Sequence, residues 1–316
     1  MDKKKVILSL LSESDGYISG EEVARRLSLS RMSVSNSVKA LSSEGYCIES
    51  KTGVGYRYSP SLSYTREMVE EAISPLFPVY FHNELSGSSN TVAKKLVLDG
   101  VKPPFVVVAR TQSGGKGRMG RFFSSPAGGL YFSLALPEDM IFSSPDHITT
   151  STSLAVARVL ERECGIESRI KWVNDIYIGG KKAVGILSEG IVNLEMGGLE
   201  SVVIGVGVNL NTPLSSFPPE LRDQVTSYMI ESGRAFPYVP ILKMILSEIV
   251  GIQNKSYLDE YRRKCFILSQ DVRVLSYGKD LGMAKCISID DDAHLVVMFP
   301  DGSIRHLSSG EVSLKI

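Results

Sequence analysis

Cysteine is scarce: the 316 residues hold four, Cys47, Cys164, Cys265 and Cys286, and none falls in a CxxC pair. A structural zinc site and a disulfide framework are therefore not expected. Neither sign of charge predominates, since 35 Lys and Arg face 35 Asp and Glu. A protein that coats nucleic acid along its whole length carries a basic excess, so that class is disfavoured, whereas a small local DNA-binding module is not. No apolar run approaches about 18 residues, which leaves no membrane span. The basic start Lys3-Lys4-Lys5 precedes an apolar stretch that stops at Ser12-Glu13 without a small-residue cleavage site, unlike a secretory signal. These absences point to a cytoplasmic enzyme or regulator. What remains is an ordinary globular composition, long enough for about two domains and a sizeable core.

The first sixty residues read as one small unit. Lys3–Leu11 is a short amphipathic helix. Ser19 caps a second helix, with Glu22 three positions on completing a capping box and Val23, Ala24 and Leu27 as its apolar face. After the turn Ser28-Leu29-Ser30, a third helix spans Arg31–Ser43, with Val34, Val38 and Leu41 at helical spacing. Tyr46–Glu49 and Tyr56–Tyr58 read as strands of a hairpin, or wing. Ser59-Pro60-Ser61 marks a boundary, and Glu67–Ile73 is expected as a linker helix.

From residue 80 onward, strands alternate with helices. Strands are expected at Phe105–Ala109, Leu130–Leu136, Ile170–Val173, Ile176–Ile178, Ala183–Ser188 and Ser201–Val208. Helices are expected at Thr149–Cys164, Leu221–Glu231 and Tyr238–Leu258, with a proline-rich loop at Asn211–Pro219. Asp271–Ile316 shows short strands with turns at Tyr277-Gly278 and Pro300-Asp301-Gly302, which suggests a small β-barrel cap.

The N-terminal unit has the pattern of a winged helix–turn–helix, whose second helix enters the major groove. The exposed face of that helix offers Ser30, Arg31, Ser33, Asn36, Ser37 and Lys39. Short hydroxyls and an amide suit base edges or phosphates, and the cations suit phosphates. Lys51 and Arg57 of the wing are placed to grip the flanking backbone. The blander alternative is a winged module that only holds a partner. One copy reads few base pairs, so specific binding calls for a dimer.

Chemistry concentrates in four stretches. Gln112-Ser113-Gly114-Gly115-Lys116-Gly117-Arg118-Met119-Gly120-Arg121 follows an apolar strand. Its glycines let backbone approach an anion and its cations neutralise phosphate. It is neither a Walker A loop nor a dinucleotide fingerprint, because no helix start follows it. Lys171-Trp172-Val173-Asn174-Asp175 ends a strand in two polar groups, where ordinary turn chemistry is an equal reading. Lys182 enters the apolar run Ala183–Leu187, which demands an anionic partner or a route to the surface. Gly205-Val206-Gly207-Val208-Asn209 is a strand whose glycines allow close packing.

Together, and in this order, these motifs resemble the bifunctional biotin protein ligases that also act as biotin operon repressors. The resemblance runs over essentially the whole chain, and Ser88-Ser89-Asn90 resembles the family's Ser-Thr-Asn biotin contact. It implies an α+β protein with a winged helix–turn–helix at 1–64, a mixed α/β ligase domain at 65–268 and an SH3-like barrel at 269–316. The implied reaction joins biotin to ATP as biotinyl-5′-AMP and then transfers biotin to a lysine of a biotin carboxyl carrier protein. The adenylate-bound homodimer would repress transcription at operator DNA.

By the same resemblance, Lys182 sits at the biotin carboxyl, and Lys116 and Arg118 close over the adenylate. Asp175 helps bind Mg²⁺ or orients the incoming lysine. Arg121, Phe123, Asn174 and Asn209 lie with Arg118 near the nucleotide. Ser88, Ser89, Asn90 and Gln112 serve the ureido ring of biotin, and Lys116, Gly117 and Arg118 are implied as further biotin contacts. Three positions depart from the family pattern: Lys116 for Arg, Phe123 for Trp, and Val173 for Pro. Lys116 keeps its charge but lacks the bidentate fork. A sensing repressor without catalysis would show a damaged set, yet Lys182, Asp175 and Arg118 are all present. A lipoate or octanoyl ligase is disfavoured by the glycine–cation loop and the Lys-Trp-x-Asn-Asp run.

Overall fold

The computed structural model describes residues 2–140, 144–193, 198–252, 256–276, 279–308 and 312–315. The N-terminal unit holds α1 (Lys3–Ser12), α2 (Gly20–Leu27), α3 (Arg31–Glu44) and the antiparallel pair β1 (Ile48–Lys51) and β2 (Gly55–Tyr58). Ile7, Leu11, Val23, Val34, Val38 and Leu41 close its own core. Ser19 caps α2 by accepting from Glu22 N at 3.1 Å. The reciprocal half of the expected capping box is absent, because the Glu22 carboxylate is taken by Arg25 and Arg26.

The central sheet gathers β3 (Val79–Leu85), β4 (Phe105–Gln112), β5 (Leu130–Pro137), β6 (Arg169–Lys171), β7 (Asp175–Ile178), β8 (Lys181–Asn193) and β9 (Gly198–Val208). Their order is β3-β4-β5-β9-β8-β7-β6, with β3 parallel to β4 and every other pair antiparallel. The run Phe105–Ala109 is continuously apolar because it is buried on both faces. Val106 and Val108 join the main core, while Phe105 and Val107 join a smaller one against α5 (Ser89–Leu98).

The main core lies under α4 (Arg66–Ile73), α6 (Pro145–Cys164), α8 (Tyr238–Gly251) and α9 (Tyr257–Lys264). The hydroxyl-rich start of α6 is buried without penalty. Thr150, Thr152 and Ser153 each donate to a carbonyl four residues back, at 2.7, 2.7 and 2.8 Å. Among the described residues, no helix is long and apolar enough to cross a membrane.

Several expectations shift. The segment expected as a linker helix, α4, is packed, with Val69 and Ile73 fully buried in the central core. The helix expected over Leu221–Glu231 shrinks to α7 (Tyr228–Ser232). Its upstream backbone is committed to β8 instead: Lys182 N donates to Gln224 O and Thr226 N to Lys182 O, both at 3.0 Å. The helix expected over Tyr238–Leu258 divides into α8 and α9, the first ending at Gly251, a poor helix former. Strands β3 and helix α5 were not anticipated. β1 and β6 sit two and one residues from their expected starts.

The C-terminal sheet holds β10 (Asp271–Ser276), β11 (Lys279–Ile289), β12 (Leu295–Met298), β13 (Ile304–Leu307) and β14 (Val312–Lys315). It is antiparallel in the order β13-β12-β11-β10-β14. Among the described residues β13 and β14 are its two edges, and no strand pairing joins them. The turn at Pro300–Gly302 is present, Phe299 N donating to Ser303 O at 2.9 Å; the turn expected at Tyr277-Gly278 lies outside the described residues. The inner face, including Val272, Val274, Cys286, Leu295 and Val297, continues the central core. Trp172, the only tryptophan, pins this junction by donating from Nε1 to Ala293 O at 3.1 Å. Trp172→Phe leaves that buried carbonyl unpaired and is expected to cost about 1–3 kcal/mol, read as a lower thermal midpoint; an unchanged midpoint would show that the junction does not need this bond.

Candidate active site and nucleic-acid interface

Strand alternation builds a cleft on the α5 side of the central sheet. Val184, Ile186, Val206 and Val208 enter the main core. The intervening Gly185, Leu187, Gly205 and Gly207 therefore face the other way, paired across β8 and β9 as Gly185↔Gly207 and Leu187↔Gly205. Glycine is required here by close approach. A Cβ on Gly207 would lie 2.4 Å from Cε1 of Phe123, and one on Gly185 2.7 Å from its Cε2. The Phe123 ring rests on this glycine floor.

The glycine–cation loop folds back on itself over the floor. Phe123 N donates to Gly115 O at 2.9 Å and Gly117 N to Arg121 O at 2.7 Å. A Cβ on Gly115 would meet Phe123 O at 2.2 Å, so this closure depends on glycine. The loop thus brings Lys116, Gly117, Arg118, Arg121 and Phe123 to the same cleft as Lys182 and Asp175. Met119 and Phe122 also line it, apolar side chains that no charge or hydrogen-bonding group in the sequence marks as site residues.

One end of the cleft is neutral and polar. Ser88 caps α5, accepting from Asn90 N at 3.3 Å. Ser89 N donates to Oε1 of Gln112 at 2.6 Å, and Gln112 Nε2 donates to Ser125 Oγ at 3.1 Å. The Asn90 amide is spent inside the protein, donating to Leu187 O at 3.2 Å and to Glu189 at 3.0 Å.

The other end is charged. Lys182 Nζ lies 2.6 Å from Asp175 Oδ1, the anionic partner its place on a buried strand demands. Arg118 reaches Asn174 Oδ1 at 3.4 Å, and Asn174 Nδ2 in turn donates to Ile186 O at 2.7 Å. Burial pulls the Arg118 pKa below its ordinary value, opposed by the nearby Asp175 and Asp146 carboxylates. Lys171, opposite Asp175 in the β6–β7 pair, is likewise pulled down by burial, against Asp175 and with the charges of Lys182 and Arg121. Among the described lining residues, Lys116, Arg118, Arg121 and Lys182 face Asp175 as the one carboxylate. Such a site suits a ligand with several negative charges at this end.

Asn209 is the expected site residue that the structure does not bring into the cleft. It is buried behind Lys182: its N–H donates to Ala183 O at 2.8 Å and its Nδ2 to Thr226 O at 3.0 Å. Its geometry is that of a brace for the start of β8.

A second concave surface lies between α3 and the wing, lined by Arg31, Met32, Ser35, Ser50 and Lys51. Ser30 caps α3, accepting from Ser33 N at 3.1 Å. Ser30, Arg31, Asn36, Lys39 and Lys51 are exposed, and Ser33 and Ser37 are half-buried on the same helix. Arg57, on the wing, pairs with Glu49 at 2.6 Å and lies over the Tyr17 ring.

The biotin/lipoate A/B protein ligase family matches residues 84–209, and a helix–turn–helix domain family matches residues 3–57. The chain is 33% identical to the bifunctional ligase/repressor BirA of Bacillus subtilis (strain 168), over 98% of each chain. It is 23% identical to BirA of Escherichia coli (strain K12), over 98% of this chain and 96% of the relative. Among solved structures, the fold resembles the biotin protein ligase of Aquifex aeolicus in complex with biotin and ATP. That likeness has a TM-score of 0.64 at 24% identity, covering 75% of this chain and 98% of the other.

The glycine floor makes a direct test. Gly207→Ala is expected to destabilise the fold by about 1–3 kcal/mol through its clash with the Phe123 ring. Phe123→Ala added to it should recover much of that loss in thermal unfolding; simple additivity of the two changes would show that ring and floor are not in contact.

Proposed function

The chain belongs to the family of bifunctional ligase/repressor proteins, and from that premise we propose that its cleft activates biotin with ATP and its winged unit binds operator DNA. The supporting observation is the polarity of the cleft, with the neutral hydroxyls and amide of Ser88, Ser89 and Gln112 at one end and Arg118, Arg121 and Lys182 around Asp175 and Lys171 at the other. Biotin has that polarity, a neutral ureido head and an anionic carboxylate tail. The tail and the triphosphate of ATP then meet at the cations.

In the first step a biotin carboxylate oxygen attacks the α-phosphorus of ATP. The bond to the bridging oxygen breaks, giving biotinyl-5′-AMP and pyrophosphate. Two anions must approach, so the site has to lower their repulsion before the bond can form. Lys182 is placed to hold the carboxylate, with Asp175 fixing the ammonium by their ion pair. Arg118, held by Asn174, and Arg121 meet the phosphates. Lys116 and the folded loop cover the adenylate and keep water from a hydrolysable anhydride. In the second step the neutral amine of the carrier lysine attacks the biotinyl carbonyl, the bond to the phosphate oxygen breaks with its electron pair leaving on AMP, and the surplus proton of the new amide nitrogen passes to solvent.

Among the described residues no group of three or more His, Cys, Asp or Glu is placed to hold a metal. Asp175 alone fits the usual manner in which Mg²⁺ binds, through one carboxylate together with substrate phosphates. Mg²⁺ arriving with ATP supplies further neutralisation of phosphate charge. Asn209 acts on the nucleotide end through its brace on β8 rather than by contact.

For repression, the α3 face and Lys51 meet DNA while the adenylate favours a homodimer that presents two winged units to a two-fold operator. The carrier protein competes with that dimer for the loop surface. We take residues 1–64, 65–268 and 269–316 as the three functional units, the last being the SH3-like one. ATP, carrier and operator place the protein in the cytoplasm.

Lys182→Ala is expected to lower biotin-dependent exchange of labelled pyrophosphate into ATP by at least about 10²-fold; wild-type exchange by this variant refutes the role of Lys182. Arg31→Ala is expected to weaken duplex binding and to reduce the slope of log K against log salt by about one, leaving the exchange rate unchanged. An unaltered slope removes Arg31 from the interface.

A further inference from the structure

The polar end of the cleft is wired from behind. Glu189 on β8 and Ser133 on β5 do not line the cleft. Glu189 takes one bond from Asn90 Nδ2 at 3.0 Å and an ion pair from Lys94 Nζ at 2.8 Å. Burial opposes its ionisation, but Lys94 and Asn90 outweigh burial, and the carboxylate sits below its usual pKa. Ser133 is fully buried, with Oγ 2.6 Å from Asn90 Oδ1 and 2.7 Å from Ser89 Oγ. Behind Asn90 there is no room to rearrange: a Cβ on Gly205 would lie 2.1 Å from Asn90 Oδ1.

These contacts have a direction. A carboxylate only accepts, and so does the Leu187 carbonyl, so both must face the Asn90 NH₂. The amide oxygen is then turned to Ser133, and it too only accepts. Ser133 has one proton and gives it to Asn90. The contact between the two serine hydroxyls is therefore made with the proton of Ser89, whose remaining lone pairs face the cleft. We propose that Ser133 and Glu189 are positioning residues that lock the Asn90 amide, so that Ser89 meets the ligand as a hydrogen-bond acceptor and selects a head group bearing N–H donors. Asn90 is then an internal anchor and not a ligand contact. The proposal rests on the biotin reading, in which a cyclic urea presents such N–H groups.

The test uses the full chain and biotin-dependent pyrophosphate exchange, with biotin and ATP varied separately and thermal midpoints recorded. Asn90→Asp sets a carboxylate against Glu189 and is expected to raise the KM for biotin about tenfold or more, with the KM for ATP unchanged. Glu189→Gln still offers Asn90 an acceptor and should stay within about threefold of wild type. In the double variant Asn90→Asp/Glu189→Gln the bond between the two side chains is restored in the opposite direction while Leu187 O still faces a carboxylate, so part of the lost biotin affinity should return. Ser133→Ala removes the acceptor for the Ser89 proton and should raise the biotin KM about tenfold. A double variant no better than Asn90→Asp, or a Ser133→Ala variant with the wild-type biotin KM, overturns the proposal. Absence of biotin-dependent exchange in the wild-type protein instead overturns the biotin reading itself, and the inference with it.

Discussion

Two neighbouring strands with glycine at alternate positions govern the arrangement of this protein. In the paired stretches Val184–Leu187 of β8 and Ile204–Val208 of β9, Val184, Ile186, Ile204, Val206 and Val208 anchor in the main core, and Gly185, Leu187, Gly205 and Gly207 between them face the cleft. A one-residue slip in register would turn valines into the cleft and glycines into the core, losing both at once. The bare backbone lets Phe123 and Asn90 approach from the far side. Core and binding surface are thus opposite faces of one pair of strands, and neither can be altered alone.

The charged end follows a different rule. Four cations line the cleft with Asp175, and burial works against the charge of Arg118 and Lys171. Such a cluster is costly in a protein interior unless an anion joins it. The loop that brings three of these cations closes through backbone bonds of its own, from Phe123 to Gly115 and from Gly117 to Arg121.

Much of this was legible in the residues. The winged unit showed in helical spacing and in Ser19 as a cap, and the cleft residues showed in four short motifs. Helix α5 escaped because its start, Ser88-Ser89-Asn90, reads equally as a loop; in the structure Ser88 caps it and Gln112 holds Ser89 N. The segment before α7 carried an apolar pattern that suits a helix, but its backbone bonds go to Lys182. Asn209 sits in a motif and was read as a contact, whereas burial makes it a brace. Ser133 and Glu189 carry no motif at all. Their importance lies in a hydrogen-bond chain that joins residues some forty to one hundred positions apart, which periodicity cannot reveal.

The winged unit is also seated on the body more firmly than a tethered module would be. Arg110, two residues before Gln112 on β4, donates to Ser43 O at 2.7 Å, at the C-terminal end of α3. Tyr64 stacks on Tyr238 with ring centroids 4.7 Å apart, and Tyr238 reaches Gly128 O at 3.2 Å. The chain between the two units is therefore part of the ligase core. A wing transplanted from another protein would arrive without its landing site, and modular exchange between family members would have to carry Tyr64 and its partners along with the helix that reads DNA.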